Sequence, residues 1–296
     1  MAAVRRFLNV LMRLHGHADN RRDMEPTRTL QANIEVHTRM ADSYDTDEPH
    51  FRPENQQKVR RTLEELAKRA RGGRLLDVGC GTGFIIRLAH DLFESIDGID
   101  ITPAMLARVG SWNNVTLHTG AAENMPFADA SFDMASSYAF MHHVEDHKRV
   151  LKEVARVLRP GGLFYVDLEP NKLFWNAMVD LEKKGSDYSD ILTREIDSVL
   201  HTDESVENEF GIASQTFKDA EPIKSVLGGF DPEEFQRAAI EAGFASCEVT
   251  FDWYAGQGAI LHGQSEEAMQ TIDAYLRRVL PLSGHLYKYL RFVCIR

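Results

Sequence analysis

One stretch limits the fold of this chain more than any other. Arg74-Leu75-Leu76-Asp77-Val78 is a short apolar run that breaks into Gly79-Cys80-Gly81-Thr82-Gly83, then resumes at helical spacing through Phe84, Ile85, Leu88 and Ala89. A buried strand, a glycine turn and a helix in that order form the opening unit of an open α/β sheet. Glycines at such a turn let the backbone bend sharply and approach a ligand that side chains would hold off. The following helix offers free N–H groups and the positive end of its dipole. The spacing departs from the dinucleotide fingerprint, because the third glycine arrives one residue early and Asp77 stands two residues before the first. That carboxylate repels a pyrophosphate and attracts a ligand carrying an ammonium group. Taken alone, the same loop also suits a plain strand-to-helix turn.

The pattern repeats downstream. Residues 95–101 read as a second strand, and Thr102-Pro103 opens a helix with Thr as its cap. Residues 115–118 and 131–137 read as a third and a fourth strand. Val150, Val154 and Leu158 mark a helix stopped by Pro160-Gly161-Gly162, and 163–168 read as a fifth strand. Strands alternating with helices predict a mostly parallel, doubly wound sheet. Asp100 ends the second strand, where a carboxylate can accept hydrogen bonds from both hydroxyls of a ribose. Residues 30–70 read as helices, with Val59, Leu63, Leu66 and Ala67 in one apolar stripe. After Pro170 the alternation stops, and 171–228 read as an acidic helical insertion. The α/β pattern returns with Asp231-Pro232, a helix ending at Gly243, a strand around 247–251 and a last strand over 286–295. The expected division is a helical segment 1–70, a core 71–170, a helical lid 171–228, and the remainder of the core 229–296.

Charge narrows the partners. The 296-residue chain has a net charge of −11, which argues against nucleic acid. From Asp180 to Glu221 there are twelve Asp/Glu against four Lys/Arg. The first 22 residues run the other way, with Arg5, Arg6, Arg13, Arg21 and Arg22 against Asp19 alone. Val4, Phe7, Leu8 and Leu11 alternate with those arginines. A basic amphipathic helix can lie on a membrane, but a helix docked on its own domain is the favoured reading. Cys80, Cys247 and Cys294 are far apart in sequence and form no metal or disulfide pattern, which fits a reducing, cytoplasmic setting.

The segment Leu76-Asp77-Val78-Gly79-Cys80-Gly81-Thr82-Gly83 closely resembles motif I of the class I S-adenosylmethionine-dependent methyltransferases. Gly98-Ile99-Asp100 resembles the family's acidic second motif. Residues 120–127, with Glu123, Pro126 and Phe127, resemble the segment that closes over adenine. Ser131-Phe132-Asp133, Met141-His142-His143-Val144 and Leu158-Arg159-Pro160-Gly161-Gly162 follow in the family's order. The subgroup resembled is that of small-molecule enzymes akin to those of ubiquinone biosynthesis. The resemblance implies a Rossmann-like, seven-stranded sheet and S-adenosylmethionine as cofactor. It implies that Asp77 and the loop Gly79, Cys80, Gly81 and Gly83 hold the methionine part, and that Asp100 holds the ribose. Ile101 packs on adenine, Ala122 and Glu123 read its edge, and the backbone of Ser137 and Tyr138 helps with the amino-acid end. Tyr44 resembles the N-terminal tyrosine that covers the cofactor. One departure is visible: Ala121 stands where the family usually has an acid, so Glu123 or a backbone carbonyl takes that contact.

Methyl transfer to oxygen usually needs a proton removed, and imidazole has a suitable pKa. His142 and His143 stand beside the ligand edge of the sheet, as a base or as structural residues. Their neighbours Glu145 and Asp146 precede a helix and serve its dipole, so no metal is expected. The favoured reading is O-methylation of a sugar-like or other small metabolite. N-methylation of a small amine and C-methylation of a quinone-like ring stay open. So does a cofactor-binding regulator without turnover. Aminopropyl transfer ranks last, since His142-His143 stands where an acidic amine-binding motif belongs.

Overall fold

The computed structural model describes residues 27–185 and 187–296. The arginine-rich segment at 1–22 lies outside the described residues. Five strands carry the parallel part of the sheet: β1 (Arg74–Val78), β2 (Ser95–Asp100), β3 (Val115–Thr119), β4 (Phe132–Tyr138) and β5 (Leu158–Pro170). Two more, β6 (Ser246–Tyr254) and β7 (Tyr287–Ile295), complete it in the order β3-β2-β1-β4-β5-β7-β6. β7 runs antiparallel to both of its neighbours. In β1, Leu75, Leu76 and Val78 are all fully buried, the mark of a central strand covered on both faces. β1 pairs with β2 on one side and β4 on the other. The connections therefore reverse direction beside β1, and the crevice opens at the carboxyl ends of β1, β2 and β4.

Helices cover both faces. On one side α2 (Pro53–Arg69) buries Val59, Leu63 and Leu66, and α3 (Phe84–Ala89) buries Phe84, Ile85 and Ile86. On the other, α4 (His147–Val157) presents Val150, Leu151, Val154 and Val157, each with no exposed surface. Burying one such side chain contributes about 1.5–3 kcal/mol. Asp146 caps α4 by accepting from the Arg149 amide at 3.1 Å. The cap expected of Thr102 is not made by its side chain; instead Asp100 accepts from the Thr102 amide at 2.8 Å. Leu158, expected at the end of a helix, opens β5 opposite Phe132.

Between β5 and α10 (Pro232–Ala242) the chain makes five helices among the described residues. They are α5 (Lys172–Lys184), α6 (Asp190–Leu200), α7 (Thr202–Phe210), α8 (Ser214–Ala220) and α9 (Pro222–Leu227). This segment leaves and returns at one point, because Asn171 and Phe230 form a parallel bridge. Buried Asn171 fastens it by capping α5 and donating to the carbonyls of Gly284 and Tyr287. Phe217 and Ala220 of α8 pack on Ala32, Val36 and Met40 of α1 (Arg28–Met40). α1 and α8 thus meet above the sheet edge.

Two helices stand where the sequence suggested only a link between the last strands: α11 (Gln257–Gly263) and α12 (Glu266–Arg278). Ile260, Met269, Ile272 and Leu276 pack them on the core. Cys247 and Cys294, distant in sequence, face each other across β6 and β7 as free cysteines. No helix among the described residues is long and apolar enough to cross a membrane.

Candidate functional site

The crevice at the switch point opens into a cavity of about 1200 Å³. Its floor is the glycine loop. Gly79 has φ +70°, and a Cβ there would lie 2.0 Å from the Phe140 ring, so no side chain fits. Gly81 has φ +51°, and a Cβ there would find only Met105 Cε, at 3.5 Å. The demand at Gly79 is packing, whereas at Gly81 it is a left-handed backbone lining open space. Asp100 ties this loop to the end of β2: its Oδ2 accepts from the Gly81 amide at 3.0 Å, its Oδ1 from Thr102. A carboxylate has about four lone-pair sites, so capacity remains for further donors. Burial raises the Asp100 pKa.

Asp77 is buried at the end of β1, where Ser136 Oγ donates to it at 2.8 Å. Burial pushes its pKa up to about 7, against the lowering effect of Ser136. A buried acid that resists ionisation while unpaired is suited to a cation.

The expected site residues converge on this cavity, with three exceptions. Tyr44, Asp77, Gly79, Cys80, Gly81, Asp100, Ile101, Ala122, Glu123, Tyr138 and His143 line it. Gly83 does not; it is the left-handed N-cap of α3 and packs against Val109. Ser137 is fully buried in β4, and its hydroxyl has no hydrogen-bond partner among the described residues. His142 faces a smaller cavity of about 220 Å³, above the first. At Ala121, Asn124 and Glu123 share the lining, with Arg149 donating to the Glu123 carbonyl at 3.0 Å.

The two cavities share a wall of His37, Tyr44, His50, Ala139 and His143. His143 Nδ1 donates to the Ala220 carbonyl at 3.0 Å, because a carbonyl can only accept. This bond fixes the tautomer and leaves Nε2 as the basic nitrogen, 4.0 Å from Glu221 Oε1. Burial, then His142 and His37, hold the His143 pKa well below its usual value, so the ring is neutral near pH 7. His142 is held differently. Its Nδ1 meets Glu169 Oε2 at 2.8 Å, and Glu169 also accepts from the amides of Phe140, Met141 and His142. Burial, then Glu48, keep Tyr44 a neutral phenol.

Sequence reasoning missed the contribution of α1. Asn33 donates to the carbonyls of Thr29 and His143, both at 3.0 Å, and His37 stacks edge-on against His143 with ring centroids 5.0 Å apart. Two polar residues four apart on the buried face of a helix were the available signal. Glu221 and Lys224 line the smaller cavity from the α8–α9 junction and α9, and no local pattern marked them. Phe174, Trp175 and Met178, expected to line a pocket, pack instead with Ile196 and Val199, and only Trp175 reaches the smaller cavity.

An open sheet with its crevice at a switch point, a glycine cradle and an acid at the end of β2 defines a Rossmann-like nucleoside-binding fold. Residues 76–166 match the family model described as "Methyltransferase domain". A probable S-adenosylmethionine-dependent methyltransferase of Mycolicibacterium smegmatis is 29% identical over 140 residues, 47% of this chain and 54% of that protein. A demethylmenaquinone methyltransferase of Chlorobaculum parvum is 39% identical over 99 residues, 33% of this chain and 41% of that protein. The chain thus spans about half the length of the curated relatives it matches. Among solved structures, a Haemonchus contortus phospholethanolamine N-methyltransferase 2 bound to phosphomonomethylethanolamine and S-adenosylhomocysteine aligns with a TM-score of 0.55. The alignment has 17% identity and covers 90% of this chain and 59% of that one, a likeness of fold. Over its α/β core the chain is thus similar to S-adenosylmethionine-dependent methyltransferases.

Proposed function

We propose that this protein moves a methyl group from S-adenosylmethionine to a hydroxyl oxygen of a small, sugar-like or other metabolite, in a reducing, cytoplasmic setting. The residues present fit the cofactor: the space over Gly81 would admit a close-packed ligand, and Asp77 is a buried carboxylate short of a cation. Asp77 would take the ammonium group, with the loop amides and the β4 end at Ser137 and Tyr138 beside it. Asp100 would take the ribose, and Ile101, Ala122 and Glu123 the adenine. Tyr44 would close over the top. The bound cofactor supplies an electrophilic methyl on sulfur. The protein's own task is to align the acceptor, exclude water and receive one proton.

The observation that carries the oxygen reading is His143. It stands in the wall between the two cavities with its tautomer fixed, so Nε2 can take the hydroxyl proton as the oxygen is alkylated. Glu221 Oε1, 4.0 Å away, would stabilise the imidazolium that forms. His142 is then a positioning residue, since Glu169 holds its ring and it does not reach the larger cavity. The helices between 172 and 227 would act as a lid, and the 220 Å³ space would fit a small acceptor or the reacting end of a larger one.

A second reading, N-methylation, is favoured by Glu48 and Glu221 in the smaller cavity, which suit a cationic amine; Lys224 in the same cavity weakens it. Purified protein with S-adenosylmethionine and pooled hydroxyl, amine and quinol acceptors, read as S-adenosylhomocysteine formed, separates these readings. Turnover with a hydroxyl pool supports the proposal. Turnover only with amines moves the reading to nitrogen, and none with any pool leaves a cofactor-binding regulator.

A further inference from the structure

His142 and His143 lie on the turn after β4, and Glu221 arrives from the α8–α9 junction, 78 residues beyond His143. Glu221 Oε1 is 3.8 Å from His142 Nε2 and 4.0 Å from His143 Nε2. One candidate ligand atom from each residue falls within 4.8 Å of the other two. The other nitrogen of each ring is already engaged: His142 Nδ1 donates to the Glu169 carboxylate, and His143 Nδ1 to the Ala220 carbonyl. A carboxylate or carbonyl behind the second ring nitrogen is the arrangement that orients metal-binding histidines. Lys224 pairs with the other oxygen of Glu221, Oε2, at 2.7 Å, which leaves Oε1 to face the imidazoles.

We propose that His142 Nε2, His143 Nε2 and Glu221 Oε1 form a binding site for one divalent transition-metal ion of the zinc class. Two imidazoles and a carboxylate match the ligand preferences of such ions. Tetrahedral bonds of 2.0–2.1 Å set ligands about 3.3 Å apart, so Glu221 Oε1 and each imidazole nitrogen would close on one another by about 0.5–0.7 Å. Charge favours the ion. Glu169 behind His142 and Glu221 beside both rings stand against Lys224, leaving a net negative charge next to the ion. Three protein ligands leave a coordination position for an oxygen donor from the cavity. The inference goes beyond the reaction proposed above and is tested without it. A bound ion would take the lone pair that the base role needs, so ion and proton compete for one atom.

Chelator-treated protein, free of cofactor and acceptor, is titrated with Zn(II) by calorimetry and with Co(II) by visible absorption. One equivalent of each is expected, with sub-micromolar affinity for Zn(II). Glu221→Gln and the His142→Gln/His143→Gln double variant are each expected to lose about tenfold or more, and Glu169→Gln about 10–100-fold. X-ray absorption at the zinc edge of the wild-type protein keeps the test independent of how the variants fold. A shell of two imidazoles and oxygen supports the site, whereas a sulfur shell or fewer than two imidazoles overturns it. Absence of saturable binding in the wild type, or affinity within threefold of wild type in both first-named variants, would overturn it too.

Discussion

The sheet edge lines the larger cavity and the helical roof lines the smaller one that shares its wall, and the two are built by different rules. The main contacts at the sheet edge follow from the ends of strands: Asp77 is next to last in β1, Asp100 closes β2, and Ser137 and Tyr138 end β4. The residues are short-range in origin, and Asp100 reaches the glycine loop only because β1 and β2 are neighbours in register. The roof is assembled from α1 and the helices between 172 and 227, whose partners are far apart in sequence. Asn33 meets His143, and His143 meets Ala220. A cofactor common to a family needs the first kind of site. An acceptor particular to one protein needs the second, which can change without disturbing the sheet.

The largest expected effect separates two glycines of the same loop. Gly79→Ala drives a methyl group into the Phe140 ring, and we expect a loss of more than about 3 kcal/mol of stability and no cofactor binding. Gly81→Ala adds only the left-handed strain, about 1–2 kcal/mol, and should fold while binding cofactor more weakly. Thermal melts and calorimetry on both variants check this. Equal melting points would mean that the packing demand at Gly79 is misassigned. Next comes Asp100→Ala. It removes two amide-to-carboxylate bonds as well as the proposed ribose contact, so affinity should fall by more than the roughly 1.5–3 kcal/mol of one charged hydrogen bond. Normal binding in that variant would break the assignment of the β2 end.

The same contrast explains what could be read in advance. Strand ends and glycines lie within a few residues of each other, so the order of β1, loop, helix and Asp100 was legible, and so was their convergence on one edge. Glu221 was not, because its place depends on how α8 packs on α1. The two histidines looked interchangeable until Glu169 and Ala220 were seen behind them. α11 and α12 were missed although Met269, Ile272 and Leu276 keep helical spacing, since their faces are only half-buried at the margin of the core.

A smaller effect follows from Asp77. With a pKa near 7 in the empty site, it is mostly neutral below that pH, and a cationic ligand loses its partner as pH falls. The ligand's α-amino group, ordinarily near 7.7–8.0, is already mostly protonated at pH 7, so affinity for S-adenosylmethionine should drop about fivefold between pH 7 and pH 6. A raised carboxyl pKa also means that the empty protein loses stability as pH climbs from about 4 to 7. Asp77→Asn should therefore melt higher than wild type at pH 8 while binding cofactor more weakly. A flat affinity profile would remove Asp77 from the ammonium site. Smaller still is the response of the roof. With S-adenosylhomocysteine and an acceptor bound, amides in 172–227 should exchange more slowly than in the empty protein, while those of β1 and β4 change little. No change in 172–227 would end the lid reading.

The division of labour itself is tested by His143→Ala, with cofactor affinity and turnover measured on the same preparation in the presence of a chelator. The expected result is S-adenosylmethionine affinity within about threefold of wild type and turnover reduced by about 10²–10⁴, with the loss concentrated in kcat. Turnover within about threefold of wild type, or a loss of cofactor affinity that matches the loss of turnover, would contradict it.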